Sequence, residues 1–293
     1  MSYLTNKIGI LKDVFMGNLM KLKAIYNICL RKSIDVSRQR DSTIIVSLTS
    51  YGKRVRGSVI YTIYSLLKQT VQPERIVLWL NEKEYSDENL PETLRFLCQY
   101  GLEVRYCRDI RSYTKMIHSI SAFPDRHIIT VDDDIYYTKE FIKEFSEAHQ
   151  QHPQAIIAGI AKMPVAKADK QLAPYIDWPE YCHVPADFEY DKTKLMALGI
   201  GGVLYPCNTF DNEVLNESVF MALCPKADDI WLYIMGLRCQ AEKRMLTESQ
   251  ISYYHTDLLR QYFTKDRLTA KNRLEGENDI QLQALLSHYN ISL

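Results

Sequence analysis

The fold class of this sequence is indicated by an alternation of short apolar runs and helical segments between residues 43 and 131. The predicted strands are Thr43–Leu48, Arg75–Leu80, Leu102–Cys107 and His127–Val131, and the predicted helices are Ser58–Gln69, Pro91–Tyr100 and Tyr113–Ala122. Strands joined by helices pair in parallel, and helices then cover both faces of the sheet. We therefore predict an α/β, Rossmann-like fold with a mostly parallel sheet. Because ligands of such sheets bind beyond the carboxyl ends of the strands, polar residues that follow a strand are the first site candidates.

Composition excludes several classes of protein. The chain has 293 residues, of which 46% are hydrophobic and 25% are charged, as in packed proteins with a sizeable core. Basic and acidic residues are equal in number, so the positive excess of a dedicated nucleic-acid binder is missing and no nucleic-acid partner is expected. The charge is unevenly distributed, however. Residues 1–40 contain eight bases and two acids, and the rest of the chain carries the compensating negative excess.

We predict two regions along the chain, a basic helical segment at residues 1–40 and one body at residues 41–293. Apolar residues recur every three or four positions in the first region and predict an amphipathic helix with basic flanks; they are Leu4, Ile8, Leu11, Phe15, Leu19, Leu22, Tyr26 and Cys29. Three partners suit the apolar face of such a helix: an anionic membrane surface, the body of the protein, or a second copy in a homodimer. The sequence leaves these three alternatives open.

Cysteine spacing and hydropathy predict the compartment. Seven cysteines are scattered without a C-x-x-C pair, which argues against both a zinc site and a disulfide framework. No apolar run reaches the roughly 18 residues of a membrane-spanning helix, and the N-terminus has no signal-peptide pattern. We expect a cytoplasmic protein, either free or bound peripherally to the inner face of the cytoplasmic membrane.

Three consecutive aspartates, Asp132–Asp134, directly follow the predicted strand His127–Val131. Two unit charges about 4 Å apart repel by roughly 4 kcal/mol at an effective dielectric constant of 20, so the cluster needs a cation or protonation. Hard divalent ions combine one or two carboxylates with substrate phosphates, and Asp132 and Asp134 form a D-x-D pair suited to a metal–diphosphate complex. The alternatives are a solvated acidic turn and an acidic N-cap of a predicted helix, Ile135–Ser146.

Five motifs in order give residues 41–293 a resemblance to a known family. They are SLTSYGKR (Ser47–Arg54), DIRSYTKMI (Asp109–Ile117), TVDDDI (Thr130–Ile135), GIGGVLYP (Gly199–Pro206) and ADDIW (Ala227–Trp231). Together they resemble bacterial glycosyltransferases of the GT-A fold encoded in capsule and lipopolysaccharide loci, and more distantly the exostosin-type transferases. The resemblance implies metal-dependent transfer of a sugar, with Mn²⁺ or Mg²⁺, from a nucleotide-sugar donor to a saccharide or lipid-linked saccharide acceptor. A UDP-sugar is favoured over a GDP-sugar.

The resemblance also implies which residues bind the nucleotide-sugar. In GT-A enzymes the loop after the first strand, the segment before the D-x-D strand and the glycine-rich segment all contact the donor. The residues so assigned are Thr49, Ser50, Tyr51, Arg54, Asp109, Arg111, Tyr113, Lys115, Asp132, Asp133, Gly201 and Gly202. For residues 109–115 the alternative role is capping of the helix that starts near Tyr113, and for the glycines it is a tight strand crossing in the core.

Catalysis and metal binding are assigned in the same way. Asp228 and Asp229 lie where inverting GT-A enzymes often carry the general base that removes the acceptor hydroxyl proton. Capping of the next helix is the alternative role of Asp228. His255 is a candidate third metal ligand beside Asp132 and Asp134. Retaining enzymes place an acid similarly, so the stereochemical outcome stays open.

Two other functions share some of these features. A sugar-nucleotide nucleotidyltransferase has the same architecture and metal but should show a glycine-rich basic loop after the first strand, where Ser47–Arg54 has one glycine. A non-catalytic, membrane-associated interaction protein of a polysaccharide assembly would carry a degenerate site. The intact acids at both predicted sites argue against it.

Overall fold

The structure is a computed structural model that describes residues 3–168, 171–182, 184–247, 253–256 and 276–293, with side chains in the first helix described from Phe15 onward. Contacts divide the chain into two compact units. Unit 1 comprises Met1–Asp109, Val131–Ser146 and Gln250–Thr264. Unit 2 comprises Ile110–Thr130, Glu147–Ser249 and Lys265–Leu293.

Unit 1 contains three parallel strands in the spatial order β3-β2-β1: β1 (Arg40–Thr49), β2 (Gln72–Asn81) and β3 (Leu102–Cys107). Two helices provide the crossover connections, α2 (Ser58–Leu67) and α3 (Glu92–Cys98). The strands carry continuous apolar runs, such as the fully buried Ile44, Ile45 and Val46, because a parallel sheet is covered on both faces. This arrangement brings the ends of β1, β2 and β3 to one edge.

A short antiparallel pair of strands and the N-terminal helix are also among the described elements of unit 1. Strand β5 (Ile135–Tyr137) pairs with β10 (Tyr253–His255), with Ile135 opposite His255. Helix α1 (Tyr3–Cys29) packs against α2 and β10. At Gly17 the approach is so close that an added Cβ would lie 2.3 Å from the carbonyl oxygen of His255.

In the described part of unit 2 there are five strands: β4 (His127–Thr130), β6 (Ile156–Lys162), β7 (Glu180–Cys182), β8 (Met196–Tyr205) and β9 (Lys243–Met245). Their order is β4-β8-β6-β7, with β9 pairing in parallel with β6. Strand β8 is antiparallel to both β4 and β6, and β7 is antiparallel to β6. The glycine-rich segment of the sequence is therefore a strand at the centre of this unit.

The described residues of unit 2 form the helices α4 (Thr114–Ala122), α6 (Glu217–Leu223), α7 (Asp228–Arg238) and α8 (Glu277–Tyr289); a further helix, α5, spans Phe141–Gln151. Helix α7 packs against β8 and α8. Its Trp231 is fully buried and donates an indole hydrogen bond to the carbonyl of Val214 at 3.0 Å. That bond satisfies the one polar group of the largest core side chain.

The predicted fold class is confirmed: the chain is a mixed α/β, Rossmann-like protein with a mostly parallel sheet, flanking helices and an N-terminal helix. The predicted helix over Ile135–Ser146 is wrong at its start. Residues Ile135–Tyr137 form β5, and helix α5 begins at Phe141. The cause is the pairing of β5 with β10, which comes from a distant part of the sequence. The acidic cluster therefore does not lie at a helix N-terminus.

Two further observations concern the membrane and the thiols. None of the helices in the described part of the chain combines the length and apolar content that crossing a bilayer requires. All seven cysteines are described, and each is a free thiol.

Candidate functional site

The aspartate cluster lies beside the end of β1 in unit 1. The backbone amide of Val131 donates to the carbonyl of Ser47 at 3.0 Å, which fixes the following residues along the strand. Asp133 is buried, whereas Asp132 and Asp134 are partly exposed. Asp133 and Asp134 lie in a turn that precedes β5, and Arg54 contacts the carboxylates of both. Asp132 and Asp134 keep exposed carboxylate surface, and binding of one metal ion by these two residues stays a prediction.

The loop after β1 binds the aspartates directly. The hydroxyl of Ser50 donates to Oδ2 of Asp133 at 2.5 Å, and Nη1 of Arg54 donates to Oδ1 of Asp133 at 2.6 Å. The same guanidinium nitrogen lies 3.3 Å from Oδ2 of Asp134. Two sequence motifs that were assigned to the site independently are therefore in contact.

Burial and charge oppose each other in this network. Burial alone would lower the pKa of Arg54, but the carboxylates of Asp133 and Asp134 outweigh it and raise that pKa. For Asp133, burial raises the pKa of the carboxyl above its usual value although Arg54 and Ser50 stabilise the charged form. Arg54 thus supplies the positive charge that a cluster of adjacent aspartates needs.

The two other predicted loop residues have different surroundings. Tyr51 is 57% exposed, and the guanidinium carbon of Arg54 lies 5.4 Å from the centre of its ring. An exposed ring beside a guanidinium offers a flat surface for a base and a charge for a phosphate. The hydroxyl of Thr49 donates to the carbonyl of Trp79 at 3.1 Å, which links β1 to β2. Asp109, at the end of unit 1, is exposed.

The strand that contains His255 lies beside the aspartate cluster. It lies opposite Ile135 in the β5–β10 pair, and the next residue, Thr256, donates its amide and its hydroxyl to the carbonyl of Asp134 at 3.0 and 2.8 Å. Within the described residues, no group of three or more His, Cys, Asp or Glu side chains is arranged to hold a metal. The assignment of His255 as a metal ligand stays a prediction.

The donor chemistry of the cluster still suits a hard divalent ion. Asp132 and Asp134 both offer partly exposed carboxylate oxygens, and Mg²⁺ needs no more than one or two from the protein when phosphates supply the rest. Because Arg54 pairs with Asp134, a metal at that carboxylate would share it with the guanidinium or replace it.

Unit 2 carries the second predicted acidic pair in the first turn of α7. The carboxylate of Asp229 accepts a hydrogen bond from the amide of Gly199 at 3.2 Å. Asp228 is buried, and its Oδ2 receives no hydrogen bond from any described residue. The nearest cation is the buried Lys115, whose Nζ lies 3.8 Å from that oxygen. The N-cap residue of α7 is Ala227, so Asp228 is not the capping residue.

The other predicted residues of unit 2 support this acidic pair. Tyr113 is buried, donates its hydroxyl to the carbonyl of Cys224, and stacks on Phe220 with ring centroids 4.2 Å apart. Burial, with the nearby acids, raises the pKa of Tyr113. Arg111 has the left-handed backbone angle φ of 62° and donates to the carbonyl of Pro225 at 3.0 Å. Both residues fix the loop that leads into α7.

The buried glycines of β8 have a structural explanation within unit 2. A Cβ on Gly201 would lie 2.6 Å from the backbone nitrogen of Ile160, because β6 and β8 approach closely where their register shifts. Gly202 has a φ of +78°, which favours glycine. These observations favour the predicted alternative of a tight strand crossing, while contact of Gly201 and Gly202 with a donor stays a prediction.

Comparisons with known proteins find structural neighbours of low similarity and no family. No family model matches the chain, and no curated protein matches it by sequence. S. aureus TarS 1–349 is similar with a TM-score of 0.44 and 14% identity over 87% of this chain and 72% of that one. The complex of CMP:2-keto-3-deoxy-manno-octonic acid synthetase with CTP has a TM-score of 0.42 and 9% identity, over 76% of this chain and 96% of that one. UDP-glucose pyrophosphorylase with UDP-glucose has a TM-score of 0.40 and 10% identity, over 86% of this chain and 99% of that one. Likeness at this level carries no conclusion about activity.

Sequence reasoning missed two residues that hold the cluster. The hydroxyl of Tyr137 accepts a hydrogen bond from the amide of Asp132 at 3.1 Å, and Thr256 binds the carbonyl of Asp134. Tyr137 lies in the segment that was predicted as helix, so its side chain could not be placed. Thr256 follows His255 directly, and that position was the one available signal.

Proposed function

We propose that the chain is a metal-dependent glycosyltransferase that moves a sugar from a nucleotide-sugar to a saccharide or lipid-linked saccharide in surface polysaccharide synthesis. The observation that supports it is the network of Ser50, Arg54, Asp133 and Asp134 at the end of β1. A basic, aromatic loop in contact with partly exposed carboxylates matches the chemistry of a nucleoside diphosphate and its counter-ion.

In this proposal unit 1 holds the donor. Tyr51 stacks on the base, since its ring is exposed, and Arg54 faces the diphosphate as a guanidinium that remains charged at every working pH. Asp133 does not touch the donor because it is buried beneath Ser50 and Arg54. Its role is to position the arginine.

A divalent ion would be held by Asp132 and Asp134, and when bound it would neutralise negative charge on the departing diphosphate. The protein contributes the orientation of those carboxylates, which the bonds from Tyr137 and Thr256 to their backbone keep in place. Removing either carboxylate should therefore weaken diphosphate binding more in the presence of the ion than in its absence.

The acceptor chemistry is assigned to the acidic pair of unit 2. Asp229 is the more accessible of the two and is proposed as the base that takes the proton of the acceptor hydroxyl. Asp228 is buried, lies beside Lys115, and has an oxygen that receives no hydrogen bond within the described residues. A hydroxyl of the substrate could satisfy that oxygen.

The decisive experiment measures binding of UDP and GDP to the purified chain by calorimetry and thermal shift, with and without Mn²⁺. We expect UDP to stabilise the protein with Mn²⁺, by about 2.7 kcal/mol at 100 times its dissociation constant. Asp134→Asn should abolish this effect and sugar transfer with little loss of fold. Asp125→Asn, at an exposed acid outside the cluster, is the matched control.

The products separate this function from its competitors. Glycosyl transfer releases a nucleoside diphosphate, whereas nucleotidyl transfer releases pyrophosphate. Release of pyrophosphate from a nucleoside triphosphate and a sugar phosphate would overturn the proposal in favour of the nucleotidyltransferase. Absence of any metal-dependent shift with every nucleotide would instead favour a non-catalytic protein.

A further inference from the structure

Helix α1 exposes a continuous apolar stripe. Phe15, Leu19, Leu22 and Tyr26 follow at intervals of four, three and four residues, and each is between 46% and 68% exposed. We call these four residues the exposed stripe. They belong to the apolar series that the sequence predicted for this helix, whose first members Leu4, Ile8 and Leu11 have side chains outside the described residues. Single exposed apolar residues are common, but an aligned series on one helix face is not.

The opposite face of α1 attaches the helix to unit 1. Gly17, Ala24 and Ile28 are buried, and at 100° per residue they lie almost directly across the helix from the exposed stripe. Gly17 permits contact with the backbone of His255, where any side chain would clash. Packing on unit 1 therefore uses small residues and leaves the larger apolar residues uncovered. Packing of α1 on the body, one of the three predicted alternatives, is therefore observed for the opposite face, and the described residues leave the exposed stripe uncovered.

Charge identifies which of the remaining partners fits. From Val14 to Ile34 the sequence contains Lys21, Lys23, Arg31 and Lys32 and no acid. Arg31 is paired with Glu92, whereas Lys23 and Lys32 are exposed, and Nζ of Lys32 lies 4.4 Å from the ring centre of Tyr26. Two copies joined through this face would bring like charges together, whereas anionic lipid headgroups would compensate them.

We propose that α1 lies on an anionic membrane surface, with the exposed stripe at the boundary of headgroups and acyl chains and the lysines among the headgroups. Phenylalanine, leucine and tyrosine on the apolar side with lysine and arginine at the flanks are the composition of helices that lie in this plane. The chain is then held at the membrane by one face of one helix. This proposal does not depend on the reaction that the protein catalyses.

Co-sedimentation of the full chain with phospholipid vesicles tests it. We expect binding to vesicles containing 30% phosphatidylglycerol, weaker binding at high salt, and at least tenfold weaker binding to pure phosphatidylcholine. The double variant Phe15→Ser and Leu22→Ser should lose at least tenfold in affinity. Ile280→Ser is the matched control, because Ile280 is also 68% exposed and lies on α8. Equal binding of the double variant and the control would overturn the proposal.

A fluorescent variant reports where the helix sits. The three native tryptophans, Trp79, Trp178 and Trp231, are at most 5% exposed. In Phe15→Trp the new indole should shift to shorter wavelength on vesicle binding and be quenched by brominated lipids, while Ile280→Trp should not. If Phe15→Trp stays unquenched, or if sedimentation velocity shows a dimer that the double variant abolishes, the stripe is a protein interface and the proposal fails.

Discussion

At the scale of single residues, the three adjacent aspartates differ in their surroundings and should differ in what they do. Asp133 is buried and binds both Ser50 and Arg54, whereas Asp132 and Asp134 keep part of their surface exposed. The sequence could assign the triplet to a site but not divide the roles. That division depends on Arg54, whose pairing with a carboxylate so distant in sequence has no local signal.

Asp133→Ala is therefore expected to destabilise the fold, by about 2 kcal/mol, because it leaves the Ser50 hydroxyl and the Arg54 guanidinium without their buried acceptor. Asp132→Ala should change stability by less than about 1 kcal/mol and abolish metal-dependent UDP binding instead. Urea unfolding and calorimetry of both variants give the comparison. The assignment is wrong if the two variants unfold at the same urea concentration.

The acidic pair of α7 allows a test of which carboxylate accepts a proton. Asp229→Asn keeps an acceptor for the amide of Gly199 and should lower kcat by about 10²–10⁴-fold, with loss of the acidic limb of the pH–rate profile. Asp228→Asn should keep that limb, because its oxygen lies beside Lys115 in a buried position. A profile that loses its acidic limb only in Asp228→Asn would exchange the two roles.

A buried lysine in unit 2 predicts a pH dependence of stability. Nζ of Lys243 donates to the carbonyl of Thr193 at 2.7 Å, and burial lowers the pKa of Lys243 from 10.5 to about 8. Between pH 8 and 10.5 the unfolded chain keeps a proton that the folded chain has released. Raising the pH through this window should therefore stabilise the fold by on the order of 3 kcal/mol from this group.

Urea unfolding at pH 7.5, 9 and 10.5 measures this contribution as a difference between wild type and Lys243→Met. The wild type should gain stability relative to the variant as the pH rises. Lys192→Met, at an exposed lysine, is the control and should follow the wild type. A constant difference between wild type and Lys243→Met at the three pH values would contradict the lowered pKa.

At the scale of elements, the close contact of β6 and β8 explains why position 201 is a glycine: a side chain there would clash with the neighbouring strand. Gly201→Ala should cost about 3 kcal/mol, because its Cβ would lie 2.6 Å from backbone and side-chain atoms of Ile160. Gly276→Ala should cost only about 1 kcal/mol, since nothing lies within 4 Å of its Cβ and the penalty is the left-handed φ of +69°. Thermal unfolding of both variants tests this order. A Gly201→Ala variant as stable as Gly276→Ala would mean that the strands can separate.

The elements that could be predicted from the sequence are those with local patterns. Strand β3 has the predicted bounds, and α4 starts one residue after the predicted Tyr113. Strand β5 could not be predicted, because its partner β10 lies far along the chain and the apolar spacing of Ile135–Ser146 imitates a helix. The antiparallel course of β8 was also not predictable, since glycines mark a close approach without its direction.

At the scale of the whole molecule, the fold class followed from the sequence more fully than the site. Alternating strands and helices predict a parallel sheet, because each crossover helix returns the chain to the same end of the sheet before the next strand begins. The candidate site residues were chosen by their place after strands, but the contacts among Ser50, Arg54 and Asp133 depend on the three-dimensional fold and have no local sequence signal. Residue types indicate which chemistry is available. The three-dimensional structure decides which of these side chains are already hydrogen-bonded or ion-paired within the protein.

The close contact of Gly17 with His255 connects helix α1 to the candidate site. The helix touches the backbone of His255 there, and the next residue, Thr256, holds the carbonyl of Asp134 with two hydrogen bonds. The short strand β10 thus connects helix α1 to the backbone of Asp134 in the candidate site. Loss of the contact at Gly17 should therefore shift the backbone of Asp134.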